Sequence, residues 1–198
     1  MSERRSASVK RTTRETDISV SIELDSLRES SIQSGVPFFD HMISAFSRHG
    51  RVAMELSCKG DTHIDDHHSV EDIGICLGKA LLRALGDRAG ITRFGFASVP
   101  MDDALAQVSI DISGRPWFSY DGPELAGKIG AYDAELTKEF LQSLAFNAQL
   151  NLHVEVRRGT NAHHIHEAVF KSLGVALRIA ASVDPSLEGA VPSTKGVL

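Results

Sequence analysis

The stretch "HIDDHHSVEDIG" places two adjacent histidines, His67 and His68, shortly before Glu71. On a helix, His67 and Glu71 are about one turn apart, so their side chains lie on the same face and can bind one metal ion together. His68 points about 100° away around the same helix. We therefore expect His68 to bind a different ion from the one that His67 and Glu71 share.

The same pattern recurs in the second half of the chain. The segment "HHSVEDIGICLGKALLRAL" aligns without a gap with "HHIHEAVFKSLGVALRIAA", which repeats both histidines and the glutamate as His163, His164 and Glu167. Core packing would repeat leucines, but it has no need of matched imidazoles and carboxylates. The duplication therefore predicts two ions, each bound by the histidine–glutamate pair of one copy and the second histidine of the other.

The types of ligand favour some metals over others. The two cysteines, Cys58 and Cys76, have no partner at the spacing of a zinc site, and we expect both to be reduced and buried. Imidazole and carboxylate ligands with open positions suit manganese, iron or catalytic zinc, and the spacing does not choose among them. The residues alone leave open an enzyme such as a dinuclear metallohydrolase, or a metal-binding protein without catalytic activity.

Five histidines lie outside the two repeated pairs. His41 follows Asp40, whose carboxylate could accept a hydrogen bond from the ring and orient it, and a ligand role for His41 stays open at this point. We assign no chemistry to the others and expect the following places for them: a helix C-terminus for His49, a loop or strand end for His63, the outward face of a strand for His153, and solvent for His166.

Apolar periodicity indicates which elements carry these residues. The segments "DISVSIELD" and "LAQVSIDIS" alternate as half-buried strands do, and the helix candidates "PFFDHMISAFSRHG" and "YDAELTKEFLQSLAFNAQ" precede the strands "RVAMELSCKG" and "LNLHVEVRRG". Each half therefore reads strand, helix, strand, helix. We predict an α+β fold of two internally repeated lobes, each a small mixed sheet with two helices on one face, related by a pseudo-twofold axis.

The repeat also sets the predicted boundaries. We expect a single domain over residues 1–198, with a first repeat at 10–95, a second at 96–190 and a C-terminal tail at 191–198. The glycine-containing segment "ALGDRAGITRFGFASVP" is the predicted join between the repeats.

Composition excludes several classes of protein. A hydrophobic content of 42% allows a substantial core, and a charged content of 24% is ordinary for a globular protein. The net charge of -5 and the absence of a long basic run argue against nucleic acid or an anionic membrane as the main partner. No signal-peptide pattern and no apolar run of about 18 residues occurs, so we expect a cytoplasmic protein.

An ordered set of motifs resembles the imidazoleglycerol-phosphate dehydratase family over nearly the whole chain: "FFDHM", "DDHHSVEDIG", "RFG", "MDDALAQVSIDISGRP", "NAHHIHEAVFK" and "PSTKG". The resemblance implies the dehydration of D-erythro-imidazole glycerol phosphate to imidazole acetol phosphate in histidine biosynthesis. It also implies two Mn(II) ions per active site that hold the substrate ring as imidazolate. The implied assembly is a homo-oligomer of 24 subunits with active sites where subunits meet.

The resemblance further implies a set of metal ligands, namely His41, His67, His68, Glu71, His163, His164 and Glu167. The sequence departs from the family at Glu139, where many members have a histidine. We expect Glu139 to act as an oxygen ligand in its place, since carboxylates suit manganese. The alternative is an ordinary solvated glutamate on a helix.

The substrate contacts are also carried over from the family. Glu15 is expected to act as a general base or proton shuttle. The expected phosphate-binding residues are Arg93, Arg115, Lys171, Ser193 and Lys195, which offer the donors that a phosphate needs. Lys171 alone has separate support, because it lies one helical turn after Glu167 on the metal-bearing face.

Overall fold

The computed structural model describes residues 5–196 and 198, which form two four-stranded sheets and four α-helices. The strands are β1 (Ser6–Thr12), β2 (Thr16–Glu23), β3 (Ser31–Gln33), β4 (Ala53–Gly60), β5 (Phe94–Met101), β6 (Ala104–Asp111), β7 (Trp117–Asp121), β8 (Lys128–Ile129), β9 (Tyr132–Asp133) and β10 (Asn151–Arg158). The helices are α1 (Pro37–Gly50), α2 (His67–Leu85), α3 (Leu136–Ala148) and α4 (Ala162–Ala181), followed by a short 3-10 helix, Pro185–Leu187.

The two sheets have equivalent topologies. The first has the order β1-β2-β4-β3 and the second the order β5-β6-β10-β7. In each sheet three strands are antiparallel and the last one pairs in parallel, β3 with β4 and β7 with β10. This arrangement confirms the predicted α+β fold of two similar lobes. The predicted boundary after residue 95 falls inside β5, so the predicted join is partly a strand.

The helices lie between the sheets and interlock the two lobes. α2 covers β1 and β2, and α4 covers β5 and β6, while α1 packs against α4 and α3 packs against α2. Glycines allow the helices to approach closely: a Cβ atom at Gly174 would lie 2.6 Å from the carbonyl oxygen of Phe46 in α1. One continuous apolar core results. Because α1 of the first lobe packs on α4 of the second, side chains of the two repeats meet.

The burial of the two cysteines answers a further prediction. Cys58 and Cys76 are free and buried, as predicted, and burial raises the pKa of the Cys76 thiol to about 11.

Within the described part of the chain, none of the helices combines the length and apolar character needed to cross a bilayer.

Gly95 in β5 has no room for a side chain. A Cβ atom at this position would lie 2.0 Å from the carbonyl oxygen of Ala176 in α4. Both groups are backbone, so β5 would have to move away from α4. We expect Gly95→Ala to lower the free energy of unfolding by about 3 kcal/mol.

The midpoint of denaturation in guanidinium chloride measures this effect. Ser98→Ala, an equally small change on the exposed face of the same strand, is the control and is expected to leave the midpoint nearly unchanged. Equal midpoints for Gly95→Ala and the wild type would contradict the close packing of β5 on α4.

Candidate metal centre

Three predicted ligands from both repeats converge at the N-terminal ends of α1 and α4. His163 Nε2 lies 3.2 Å and His41 Nε2 lies 3.5 Å from Oε2 of Glu167. One ligand atom from each of these residues lies within 4.8 Å of the others, and no other such group of three or more occurs in the described residues. We call these three residues the ligand cluster.

Local structure positions the ligand cluster. Asn161 is the N-cap of α4 and its side chain accepts a hydrogen bond from the backbone N–H of His164, so His163 and His164 lie in the first helical turn. His163 and Glu167 then follow one another on one face of α4. The Phe38 ring contacts His163, with ring centroids 5.2 Å apart, and confines the cluster on one side.

The charge of Glu167 suits a metal ligand. The carboxylate has only 11% of its side-chain surface exposed, and its Oε1 lies 2.6 Å from Nζ of Lys171. Burial alone would raise the pKa of Glu167, but the hydrogen bond and charge of Lys171, with His41 and His163, bring the pKa below its usual value. Two imidazoles and an anionic carboxylate form a donor set that fits manganese, iron or catalytic zinc.

The equivalent pair of the first repeat is more open. His67 Nε2 lies 3.7 Å from Glu71 Oε2, as the helical spacing predicted, and 42% of the Glu71 side chain is exposed. Within the described residues, no third potential ligand joins this pair at the distances of the ligand cluster. Glu139 in the first turn of α3 is therefore not part of such a group, and its role as a ligand stays a prediction.

The second histidine of each pair has acidic neighbours on both ring nitrogens. His68 Nδ1 lies 3.1 Å from Asp61 Oδ2, and its Nε2 lies 3.9 Å from Glu15 Oε1. The hydrogen bond to Asp61 raises the pKa of His68. His164 Nδ1 lies 2.6 Å from Asp103 Oδ1, and its Nε2 lies 3.5 Å from Asp102 Oδ2.

Among the described residues of one chain the predicted sharing of ligands does not form, and sharing between chains stays a prediction. We expected the second histidine of one repeat to join the histidine–glutamate pair of the other. Within the chain, the residue that joins His163 and Glu167 is His41. His68 projects toward the turn after β4 instead, because it lies about 100° around α2 from His67.

Two other predictions about the neighbourhood are wrong. His166 is buried, with 1% exposure, and its ring nitrogens lie 2.7 Å from the carbonyl oxygen of Ala162 and 3.2 Å from that of Ala134. It occupies the position of the buried Val70 in the repeat, so the alignment itself indicated burial. Asp40 accepts a hydrogen bond from the backbone N–H of Ser34 at 2.7 Å and fixes the turn before α1 rather than the His41 ring.

The predicted phosphate-binding residues occupy different surroundings. Arg93 binds both carboxylate oxygens of Asp111, at 2.7 and 3.2 Å, and donates to the carbonyl oxygen of Pro192 at 2.8 Å. This contact brings Arg93 next to the tail that carries Ser193, whose hydroxyl accepts from the backbone N–H of Lys195. The Arg115 side chain is exposed. Lys171 contacts the ligand cluster through Glu167, as its helical spacing predicted.

The carboxylates of Asp61, Asp102 and Asp103 were not predicted as part of the site. A signal for one of them was available in the strand pattern. Asp103 directly precedes β6, and Glu15 holds the same position before β2 of the first repeat. A search for the counterpart of Glu15 would have found Asp103. Asp61 has no such counterpart in the second repeat, where Thr160 follows the equivalent strand.

Residues 34–177 match the family model described as imidazoleglycerol-phosphate dehydratase. The protein of this name from Geobacillus kaustophilus is 55% identical over 194 residues, which cover 98% of this chain and 99% of the relative.

Two solved structures are also similar. The imidazoleglycerol-phosphate dehydratase from Staphylococcus aureus has a TM-score of 0.82 and 38% identity, and the match covers 90% of this chain and 99% of that one. The structure from Pyrococcus furiosus has a TM-score of 0.82 and 41% identity, with coverage of 96% and 100%.

Proposed function

The chain belongs to the imidazoleglycerol-phosphate dehydratase family, a lyase of histidine biosynthesis, and on this premise we propose that it dehydrates imidazole glycerol phosphate with two manganese(II) ions. The observation that carries the metal part of this proposal is the convergence of His41, His163 and Glu167. A protein that only stores metal would not need Lys171 beside the ligands, nor the phosphate-binding residues predicted in the tail.

The metal contributes one part of the chemistry. When bound, two manganese(II) ions would act as Lewis acids on the two ring nitrogens of the substrate and favour the imidazolate form, from which the adjacent hydroxyl leaves more easily. The ligand cluster would hold one ion, and the His67–Glu71 pair, with Glu139, would contribute to the other. His68 and His164 would supply one further imidazole to each ion.

The remaining steps fall to residues outside the ligand cluster. Glu15 would take the proton from the carbon adjacent to the one that loses the hydroxyl. The hydroxide would leave with a proton as water, and the resulting enol would rearrange to the ketone. Its carboxylate lies on the exposed hairpin between β1 and β2 and beside His68, so it can reach a bound substrate ring. Arg93, Arg115, Lys171, Ser193 and Lys195 would bind the phosphate and fix the orientation of the ring.

We further propose that active sites are completed by neighbouring subunits in an assembly of 24 chains. Manganese takes about six ligands in octahedral geometry, whereas the described residues of one chain bring three together. The side chains of His68 and His164 are partly exposed and belong to no such group among the described residues, so sites at subunit contacts would use their Nε2 atoms.

Removal of metal is the direct test of this function. The metal is removed with a chelator, and the chelator is then removed by dialysis. We expect this protein to lose more than about 99% of its dehydration activity, because the imidazole ring of the substrate would no longer be activated. Added Mn(II) is expected to restore the activity, measured as ketone product from imidazole glycerol phosphate. Protein carried through the same steps without the chelator is the control.

Two results would contradict the proposal. Full activity of protein shown by elemental analysis to contain no metal would remove the ions from the reaction. Release of inorganic phosphate in place of the ketone would favour the alternative of a dinuclear metallohydrolase.

A further inference from the structure

His68 and His164 share an arrangement that the proposed reaction alone does not explain. In each, the Nδ1 atom faces a carboxylate, Asp61 at 3.1 and 3.2 Å and Asp103 at 2.6 Å. An ionised carboxylate only accepts hydrogen bonds. The Nε2 atoms lie farther from their own acidic neighbours, 3.9 Å from Glu15 in His68 and 3.5 Å from Asp102 in His164, so the proton of the neutral ring lies on Nδ1. The lone pair is then on Nε2, which is the atom that a metal ion needs.

We propose that Asp103 and Asp61 are positioning residues that hold His164 and His68 in the tautomer with an Nδ1 proton, and that only Asp103 requires a carboxylate to do so. The inference rests on the proposed function for the identity of the metal. The assignment of the tautomer rests on the contacts of the two aspartates alone.

The two aspartates differ in what their second oxygen does. Asp103 Oδ2 accepts from the Thr160 backbone N–H at 2.7 Å, the Thr160 hydroxyl at 3.0 Å and the Asn161 backbone N–H at 3.1 Å. Its Oδ1 faces His164, so both oxygens must be acceptors at once. This set of bonds also lowers the pKa of Asp103 well below its usual range.

An asparagine at position 103 cannot meet both demands. If its amide oxygen keeps the three donors before α4, its NH2 group faces His164 Nδ1. The ring must then accept at Nδ1 and carry its proton on Nε2, which prevents metal binding there. If the amide turns around, the NH2 group opposes three donors, so the first orientation costs less.

Asp61 is not constrained in this way. Both of its side-chain oxygens face His68 Nδ1, and its side chain has no other hydrogen bond among the described residues. An asparagine at position 61 can place its amide oxygen at Nδ1 and preserve the tautomer. The same substitution is therefore expected to have different effects at the two sites.

The test compares Asp103→Asn, Asp61→Asn and Thr160→Val in the complete protein. Thr160→Val removes one bond to Asp103 Oδ2 but leaves the contact with His164, so it controls for loosening of the loop. We expect Asp103→Asn to weaken binding of one Mn(II) ion by about 10- to 100-fold in calorimetric titration. The other two variants are expected to change the affinity by less than about threefold.

A second measurement reports the tautomer directly in metal-free protein. Nitrogen-15 solid-state NMR of histidine-labelled protein distinguishes rings protonated on Nδ1 from rings protonated on Nε2. We expect one ring to change from the first class to the second in Asp103→Asn and none to change in Asp61→Asn or Thr160→Val.

Several outcomes would overturn the inference. These are wild-type affinity and tautomers in Asp103→Asn, an equally large loss in Thr160→Val, or an equally large loss in Asp61→Asn. Failure of the proposed function has a different signature: the wild type would bind no Mn(II), while the tautomer change in Asp103→Asn would still support the positioning role.

Discussion

Glu167→Gln is expected to reduce kcat/KM for dehydration by more than about 100-fold, since loss of a group that merely orients a metal ligand typically costs 10- to 100-fold. Oε2 of Glu167 faces the Nε2 atoms of both His163 and His41, and Oε1 faces Nζ of Lys171. A neutral amide removes the anionic ligand and leaves the Lys171 ammonium next to the ion. Binding of one Mn(II) ion is expected to be lost together with activity.

Measurement of kcat/KM alongside Mn(II) stoichiometry separates this explanation from misfolding. Glu155→Gln is the matched control, because Glu155 pairs with Arg157 at 3.0 Å on β10 and takes no part in the ligand cluster. It should bind two ions and turn over substrate normally. A Glu167→Gln protein that bound both ions with wild-type affinity would exclude Glu167 as a ligand.

The two histidine–glutamate pairs have the same sequence spacing but different surroundings. Glu167 is largely covered and is paired with Lys171, whereas the Glu71 side chain is 42% exposed and the position of α2 equivalent to Lys171 is Ile75.

 The residue of α2 that corresponds to Lys171 is therefore apolar, and Glu71 has no cation one turn further along its helix. One pair is thus set in place by its own chain, while the other is left open to ligands from elsewhere. This difference supports sites that are completed between subunits.

Much of the fold could be predicted because the repeated segments carry strong apolar periodicity. α1 begins and ends at the predicted residues, and His67, His68 and Glu71 lie on a helix, α2, as predicted. β1 and β5 were missed because their core-facing positions carry weak signals. In β5, Gly95 and Ala97 face the core while Phe94 and Phe96 are exposed, which inverts the usual pattern of a half-buried strand.

Spacing along the chain predicted the site only where its residues share a helix, whereas His41 was expected only from the family resemblance. His163 and Glu167 are one turn apart, so their contact followed from the spacing. The approach of His41 depends on the packing of α1 against α4 across the two lobes, which no local pattern encodes. The contact of Asp103 with His164 likewise depends on how the hairpin between β5 and β6 meets the start of α4.

Glu15→Gln is expected to lower kcat by about 10²- to 10⁴-fold, the range typical of a lost general base. The backbone carbonyl of Glu15 accepts a hydrogen bond from the Asp61 N–H at 3.1 Å, which ties the hairpin to the turn beside His68. The side chain stays 54% exposed and is free to meet a substrate. Because the backbone holds the position, the glutamine variant should keep the geometry and lose only the capacity to accept a proton.

Steady-state kinetics together with Mn(II) titration tests this role. Metal stoichiometry and KM should stay close to wild-type values, so that the loss appears in kcat, and Glu15→Asp should recover part of it. Glu124→Gln, the same change on an exposed loop, serves as the control. A Glu15→Gln protein that binds substrate and turns it over at a near-normal rate would assign the proton transfer to another group. Asp102 is the candidate, because its carboxylate faces Nε2 of His164 as that of Glu15 faces Nε2 of His68.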